Sequence, residues 1–67
     1  MTLIINGKAT TLDAQTLADA LELLGYQSQQ GRCVVALNQT IVPWVGASEQ
    51  RLQDGDHIDV LGAITGG

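Results

Sequence analysis

The sequence contains few of the residues that cross-link a small protein or carry out catalysis in one. Its 67 residues include one cysteine, Cys33, one histidine, His57, and one proline. Disulfide frameworks and structural zinc sites need several such residues, so we expect no metal site and no bound cofactor. A lone thiol is typical of a reducing compartment. No Ser/His/Asp set or phosphate-binding loop is present, so the sequence predicts no catalytic residues.

Basic and aromatic residues are also scarce. Three Lys and Arg residues against seven Asp and Glu residues give a net charge of −4, and the aromatic residues are Tyr26 and Trp44. Without a basic stripe, no nucleic-acid partner is expected. The apolar stretches are much shorter than the roughly 20 residues that cross a bilayer, and no leader opens the sequence. We therefore expect a cytoplasmic protein without membrane contact, whose acidity favours a basic partner surface.

The first half of the sequence predicts a β-hairpin followed by a helix. Residues 3–5 and 8–12 flank Asn6-Gly7, the dipeptide that a type I′ turn prefers. Thr16 and Asp19 have the spacing of a capping box. An apolar stripe follows at helical spacing, and a glycine stands where such a helix would end: Leu17, Ala20, Leu21, Leu24 and Gly25.

The second half predicts three more strands. Residues 32–37 are apolar on both faces and should form an interior strand. Asn38-Gln39 turns the chain into residues 40–42, an edge strand that Pro43 closes. Residues 45–53 are expected to be irregular, with Leu52 in the core, and an Asp-Gly-Asp turn at 54–56 precedes the last strand, 57–61.

These elements predict an α+β class. One helix has to cover one face of a mixed sheet, and the handedness of crossover connections limits the topologies. A β-grasp (ubiquitin-like) fold satisfies this order, with the first and last strands parallel at the centre. We expect Leu17, Leu21 and Leu24 to pack on the sheet residues Leu3, Ile5, Val35 and Ile58. Residues 1–64 are the predicted domain, and Thr65, Gly66 and Gly67 are a predicted flexible tail.

Three segments and the Gly-Gly end carry a family resemblance. Residues 35–38 (Val-Ala-Leu-Asn), 41–43 (Ile-Val-Pro) and 52–58 (Leu-Gln-Asp-Gly-Asp-His-Ile) resemble the bacterial thiamine-biosynthesis sulfur carriers of the ubiquitin-like ThiS family, which end in Gly-Gly. The likeness covers essentially the whole sequence. It departs from the family at Trp44, where members often have a basic residue. Trp44 is therefore either a partner anchor or a core residue, and with Ile64 it forms a candidate partner surface.

The resemblance implies a carrier and not an enzyme. An E1-like adenylating enzyme would use ATP to activate the Gly67 carboxylate, and a sulfur donor system such as a cysteine desulfurase would convert it to a thiocarboxylate. Thiazole synthase would then receive the sulfur for the thiazole ring of thiamine. Gly66 and Thr65 would enter the partner active sites with Gly67.

Two other interpretations remain open from the sequence. One is a sulfur carrier for molybdopterin or another pathway, although such relatives often have prolines before the terminal glycines and this sequence has none there. The other is a ubiquitin-like binding module or protein modifier that carries no sulfur. The remaining polar residues have structural interpretations: Cys33 as a small apolar filler in a strand, His57 as a surface residue, and Asp54 and Asp56 as turn residues.

Overall fold

The structure is a computed structural model that describes residues 1–26 and 32–62. Strands β1 (Thr2–Ile5) and β2 (Lys8–Thr11) form the hairpin, and helix α1 (Leu17–Leu23) follows. Strands β3 (Val34–Leu37) and β4 (Thr40–Val42) form a second hairpin. A 3-10 helix (Trp44–Glu49) then leads to strand β5 (His57–Leu61). Within the described residues, no helix is long and apolar enough to span a membrane.

The described strands form a mixed five-stranded sheet in the order β2-β1-β5-β3-β4. Strand β5 lies parallel to β1, with Ile4 beside His57, and antiparallel to β3, with Val35 beside Val60. This arrangement confirms the predicted parallel pairing of the first and last strands at the centre. Strand β4 is at the edge, as Pro43 predicted, because a proline cannot donate a ladder hydrogen bond.

The two hairpin turns have left-handed backbone at both of their central residues. Asn6 and Gly7 have φ values of 51° and 83°, which is the type I′ geometry that Asn-Gly predicts. Asn38 and Gln39 have φ values of 50° and 72°, so the second hairpin uses the same type of turn. A left-handed glutamine is uncommon, and this conformation was not evident from the sequence.

Helix α1 has the predicted ends. The Thr16 hydroxyl accepts a hydrogen bond from the Asp19 N–H (3.2 Å), and the Asp19 carboxylate accepts one from the Thr16 N–H (3.3 Å), so the capping box is confirmed. Gly25 follows the helix at φ 85°, where the N–H of Tyr26 donates to the Leu21 carbonyl. This is a Schellman ending, and the half-buried Tyr26 supplies the apolar contact that accompanies it.

The core lies between α1, the 3-10 helix and one face of the sheet. Leu17 and Leu21 are buried as predicted, and Leu24 is partly buried at the rim. Among the described residues, the buried apolar cluster comprises Leu3, Ile5, Ala14, Leu17, Ala20, Leu21, Val35, Val42, Ala47, Leu52 and Ile58. The predicted sheet partners of the helix stripe are all in this cluster.

Two predictions for the second half of the chain are wrong. The segment expected to be irregular begins with the 3-10 helix, in which Trp44 and Ala47 are three residues apart and both turn inward. A three-residue repeat brings such positions onto one side. The strand predicted over 32–37 starts at Val34, so Cys33 precedes the strand and is only partly buried.

Strand β3 is interior in the sheet, as predicted, but its two faces are not equally buried. Val35 faces the helix and the core, whereas Val34 lies on the opposite face and is exposed. The apolar residues at both positions had suggested a strand covered on both sides. In the described residues, the helix and the 3-10 helix pack on the Val35 face, and neither covers the face that carries Val34.

Candidate functional site

The sheet face opposite α1 has a group of exposed apolar side chains. Val34, Ile41 and Leu61 are 44%, 67% and 56% exposed, and the buried Ala36 (8% exposed) lies between them. The register places Val34 beside Leu61 and Ala36 beside Ile41 on neighbouring strands. Cross-strand pairs of this kind lie about 5 Å apart, so Val34, Ile41 and Leu61 form one surface around Ala36, which we call the open-face patch.

The open-face patch adjoins the end of the central strand. Leu61 belongs to the patch and is also the last residue of β5, so the chain leaves the sheet next to the patch. Exposed apolar groups on a small domain commonly mark a protein-interaction surface. These residues were not evident from the sequence, because β3 and β4 have apolar residues on both faces and the pattern does not show which face the helix covers.

The carboxylate of Asp59 lies on the same face of β5 as Leu61. Asp59 is half-buried beside Ala36 on β3. Within residues 1–26 and 32–62, no hydrogen bond from a lysine or arginine reaches this carboxylate. The open face therefore combines apolar side chains with a negative charge, which is complementary to an apolar surface that carries a basic residue.

Trp44 is held against the core on the other side of the molecule. Its Nε1 donates a 2.8 Å hydrogen bond to the Cys33 carbonyl, and the indole ring packs partly buried against the core cluster. The bond joins the start of the 3-10 helix to the chain just before β3. The structure thus gives Trp44 a packing role. The other member of the predicted partner surface, Ile64, lies outside the described residues.

The acidic turn before β5 holds strands together. Asp54 Oδ1 accepts the N–H of Thr2 (2.7 Å), and Asp56 Oδ1 accepts the side-chain amide of Asn38 (3.1 Å). The backbone N–H of the exposed His57 donates to Asn38 Oδ1 (2.9 Å). Within the turn, Gly55 has φ 91° and Asp56 Oδ2 accepts the N–H of Gln53 (2.8 Å), which confirms the predicted turn at 54–56. In the described part of the chain, no three His, Cys, Asp or Glu residues are grouped as metal ligands.

Three predicted site residues, Thr65, Gly66 and Gly67, lie outside the described residues. The structure does describe the strand that precedes them, β5. Strand β5 pairs with β1 at His57 and Ile58, and with β3 as far as Leu61. The predicted tail is therefore attached to the central strand of the sheet through Gly62 and residues 63–64.

The mixed sheet and its covering helix define a β-grasp (ubiquitin-like) domain, and comparisons with known proteins agree. The family model described as the ThiS family matches residues 3–67, so the chain belongs to the ThiS family. Together with two solved structures of thiamine biosynthesis proteins, this match confirms the predicted sulfur carrier in thiamine biosynthesis.

Two solved structures from Geobacter metallireducens are similar to the whole chain. A crystal structure of a thiamine biosynthesis protein (ThiS) is 28% identical with a TM-score of 0.79, and each chain covers all of the other. An NMR solution structure of a thiamine biosynthesis protein is 26% identical with a TM-score of 0.78, covering 100% of this chain and 88% of that one. Among curated proteins, none matches the chain.

Proposed function

We propose that this carrier transports sulfur as a thiocarboxylate on Gly67 and delivers it for the thiazole ring of thiamine. The observation that carries the proposal is the ThiS family match, because it extends through Gly66 and Gly67. The chain supplies the acyl group and the surface that partners recognise. An E1-like adenylating enzyme, a sulfur donor such as a cysteine desulfurase, and thiazole synthase supply the chemistry.

The proposed reaction on Gly67 has two steps. A carboxylate oxygen attacks the α-phosphorus of ATP in the activating enzyme, which forms the acyl-adenylate and releases pyrophosphate. A sulfide equivalent then attacks the carbonyl carbon, the C–O bond to AMP breaks, and the thiocarboxylate remains. ATP is bound by the partner, and this chain contributes no catalytic group.

The tail length suits a carrier that visits more than one active site. Five residues, 63–67, follow Gly62, and an extended chain of that length spans roughly 16 Å at about 3.3 Å per residue. Two terminal glycines have no side chains, so they can enter a narrow channel. Docking of the folded domain then holds the terminal group at high effective concentration near the reacting partner.

We further propose that the open-face patch docks on the activating enzyme. The patch reaches Leu61, the last strand residue before the tail, so a partner seated on it lies where the tail departs. The half-buried Asp59 and the net charge of −4 favour a partner surface that is apolar at its centre and basic around it.

Intact-mass analysis tests the sulfur-carrier proposal directly. The protein is incubated with ATP, a cognate activating enzyme and sulfide, and the expected product has one terminal oxygen replaced by sulfur. Omitting ATP is expected to abolish the mass shift, because adenylation must precede sulfur transfer. A shift that persists without ATP, or that fragmentation assigns to Cys33 and not to Gly67, would contradict the proposal.

Truncating the patch should weaken docking. Ile41→Ala is expected to raise the KM of the activating enzyme for the carrier about tenfold, which corresponds to about 1.4 kcal/mol. Val45→Ala is the matched control, because Val45 is exposed but lies in the 3-10 helix beside α1. Steady-state pyrophosphate release measures both variants. Equal KM values for Ile41→Ala and the wild type would show that the open-face patch is not part of the docking surface.

A further inference from the structure

The hydrogen-bond ladder between β1 and β5 has one more rung than the two backbones can supply, and a side chain provides it. The N–H of Ile4 donates to the Asp56 carbonyl and the N–H of Asn6 donates to the Ile58 carbonyl, both at 2.9 Å. At Asn6 the backbone enters the left-handed region, with φ 51°, and begins the hairpin turn. The next rung of a parallel ladder would need an acceptor for the N–H of Val60 at that point.

A side chain provides that acceptor. The N–H of Val60 donates a 2.8 Å hydrogen bond to Oδ1 of Asn6, 54 residues away in the sequence. The Asn6 side chain thus takes the place of a main-chain carbonyl and adds one rung to the ladder. Asparagine suits this position because it tolerates left-handed backbone better than most residues with a Cβ and has a short side-chain acceptor.

The extra rung lies at the end of β5 that leads to the tail. On its other side, β5 pairs with β3 as far as Leu61, which lies beside Val34. Without Asn6, the β1 side of β5 would be unpaired after residue 58. Asn6 therefore holds Val60, in the last part of β5, from the side opposite β3.

We propose that Asn6 is a positioning residue for sulfur loading. By anchoring Val60, it holds the end of β5 and Gly62, which we call the base of the tail, at a fixed angle to the open-face patch. A docked carrier then directs Gly67 toward the ATP α-phosphate. Loss of this anchor lets the base of the tail move. Fewer docked complexes then have a reactive geometry, which lowers kcat while the docking surface is unchanged. This inference rests on the proposed function.

Asn38 offers a matched control within the same sheet. It is also a left-handed hairpin asparagine, with φ 50°, and its Oδ1 accepts the N–H of His57. That bond lies at the start of β5, at the opposite end from the tail. Asn38→Gly and Asn6→Gly each introduce glycine, which adopts positive φ readily. Each substitution removes one side-chain oxygen that accepts a backbone N–H of β5.

The experiment compares Asn6→Gly, Asn6→Asp and Asn38→Gly with the wild type in thiocarboxylate formation with the activating enzyme, ATP and sulfide. Asn6→Gly is expected to lower kcat about tenfold with KM within twofold, and to speed amide exchange at Val60. Asn6→Asp keeps the acceptor and should retain nearly the wild-type kcat. Asn38→Gly also removes the bond from the Asn38 amide to Asp56, so it should lose at least as much thermal stability as Asn6→Gly and keep kcat.

The kcat values of these variants distinguish a positioning role of Asn6 from a general loss of stability. Equal kcat values for Asn6→Gly and the wild type, or equal losses in Asn6→Gly and Asn38→Gly, would overturn the positioning role. A wild-type protein that takes up no sulfur would overturn the proposed function instead. Amide exchange at Val60 shows in every case whether the hydrogen bond to Asn6 has been removed.

Discussion

A variant that lacks Gly67 is expected to take up no sulfur and to keep its fold. Removing one residue displaces the acceptor carboxylate by about 3.3 Å from the ATP α-phosphate, and in-line attack tolerates little displacement. The core lies within residues 3–58, so the melting temperature should stay close to that of the wild type. Intact mass after incubation with ATP, activating enzyme and sulfide measures the first effect, and thermal denaturation measures the second.

Three further variants test whether sulfur uptake depends on the tail and not on Cys33 or His57. Gly66→Val should react slowly, because a β-branched side chain widens a segment that has to enter a narrow channel. Cys33→Ser and His57→Ala should form the thiocarboxylate as the wild type does. Sulfur uptake by the variant without Gly67, or its loss in a folded Cys33→Ser protein, would refute the assignment of the reactive group to Gly67.

Leu21→Ala is expected to lower the free energy of unfolding by about 2–5 kcal/mol. The Leu21 side chain is 1% exposed, and it packs in the cluster that joins α1 to the sheet. Truncation leaves a cavity that the surrounding strands and helix only partly close. Because a core of this size rarely supplies more than about 3–5 kcal/mol, the variant should be largely unfolded at moderate denaturant concentrations. Urea denaturation followed by circular dichroism measures the change.

Leu23→Ala is the matched control in the same helix. Leu23 is 57% exposed, and substitutions at such positions usually change stability by less than about 0.5 kcal/mol. The same chemical change at two neighbouring helical positions thus compares a buried site with an exposed one. If both variants had the same urea midpoint as the wild type, the assignment of Leu21 to the core would be wrong.

Most of the fold could be predicted because local signals and global topology agree. Asn6-Gly7 specifies a turn that few other dipeptides adopt, and the capping box at Thr16 and Asp19 locates the helix start. The apolar stripe then identifies the helix face, and a helix with one such face has to cover a sheet. With one helix and the order of strands known, the handedness rule leaves few arrangements.

The features that could not be predicted depend on contacts distant in sequence. The 3-10 helix contains Val45 and Gly46 and has little intrinsic helical preference; it forms where Ala47 enters the core and Trp44 reaches the Cys33 carbonyl. The open-face patch was missed for the same reason. Val34 and Val35 are the same residue type, and only the position of α1 makes one buried and the other exposed.

The parallel pairing of β1 with β5 also constrains how the protein is made. Ile4 lies beside His57, 53 residues further along the chain, so the central ladder cannot form until nearly the whole sequence has been synthesised. Domains generally fold as units as they emerge from the ribosome, and this one lacks its middle strand until β5 has emerged. A nascent chain that still lacks β5 therefore has two separate hairpins and a helix, with no strand to join the hairpins into one sheet.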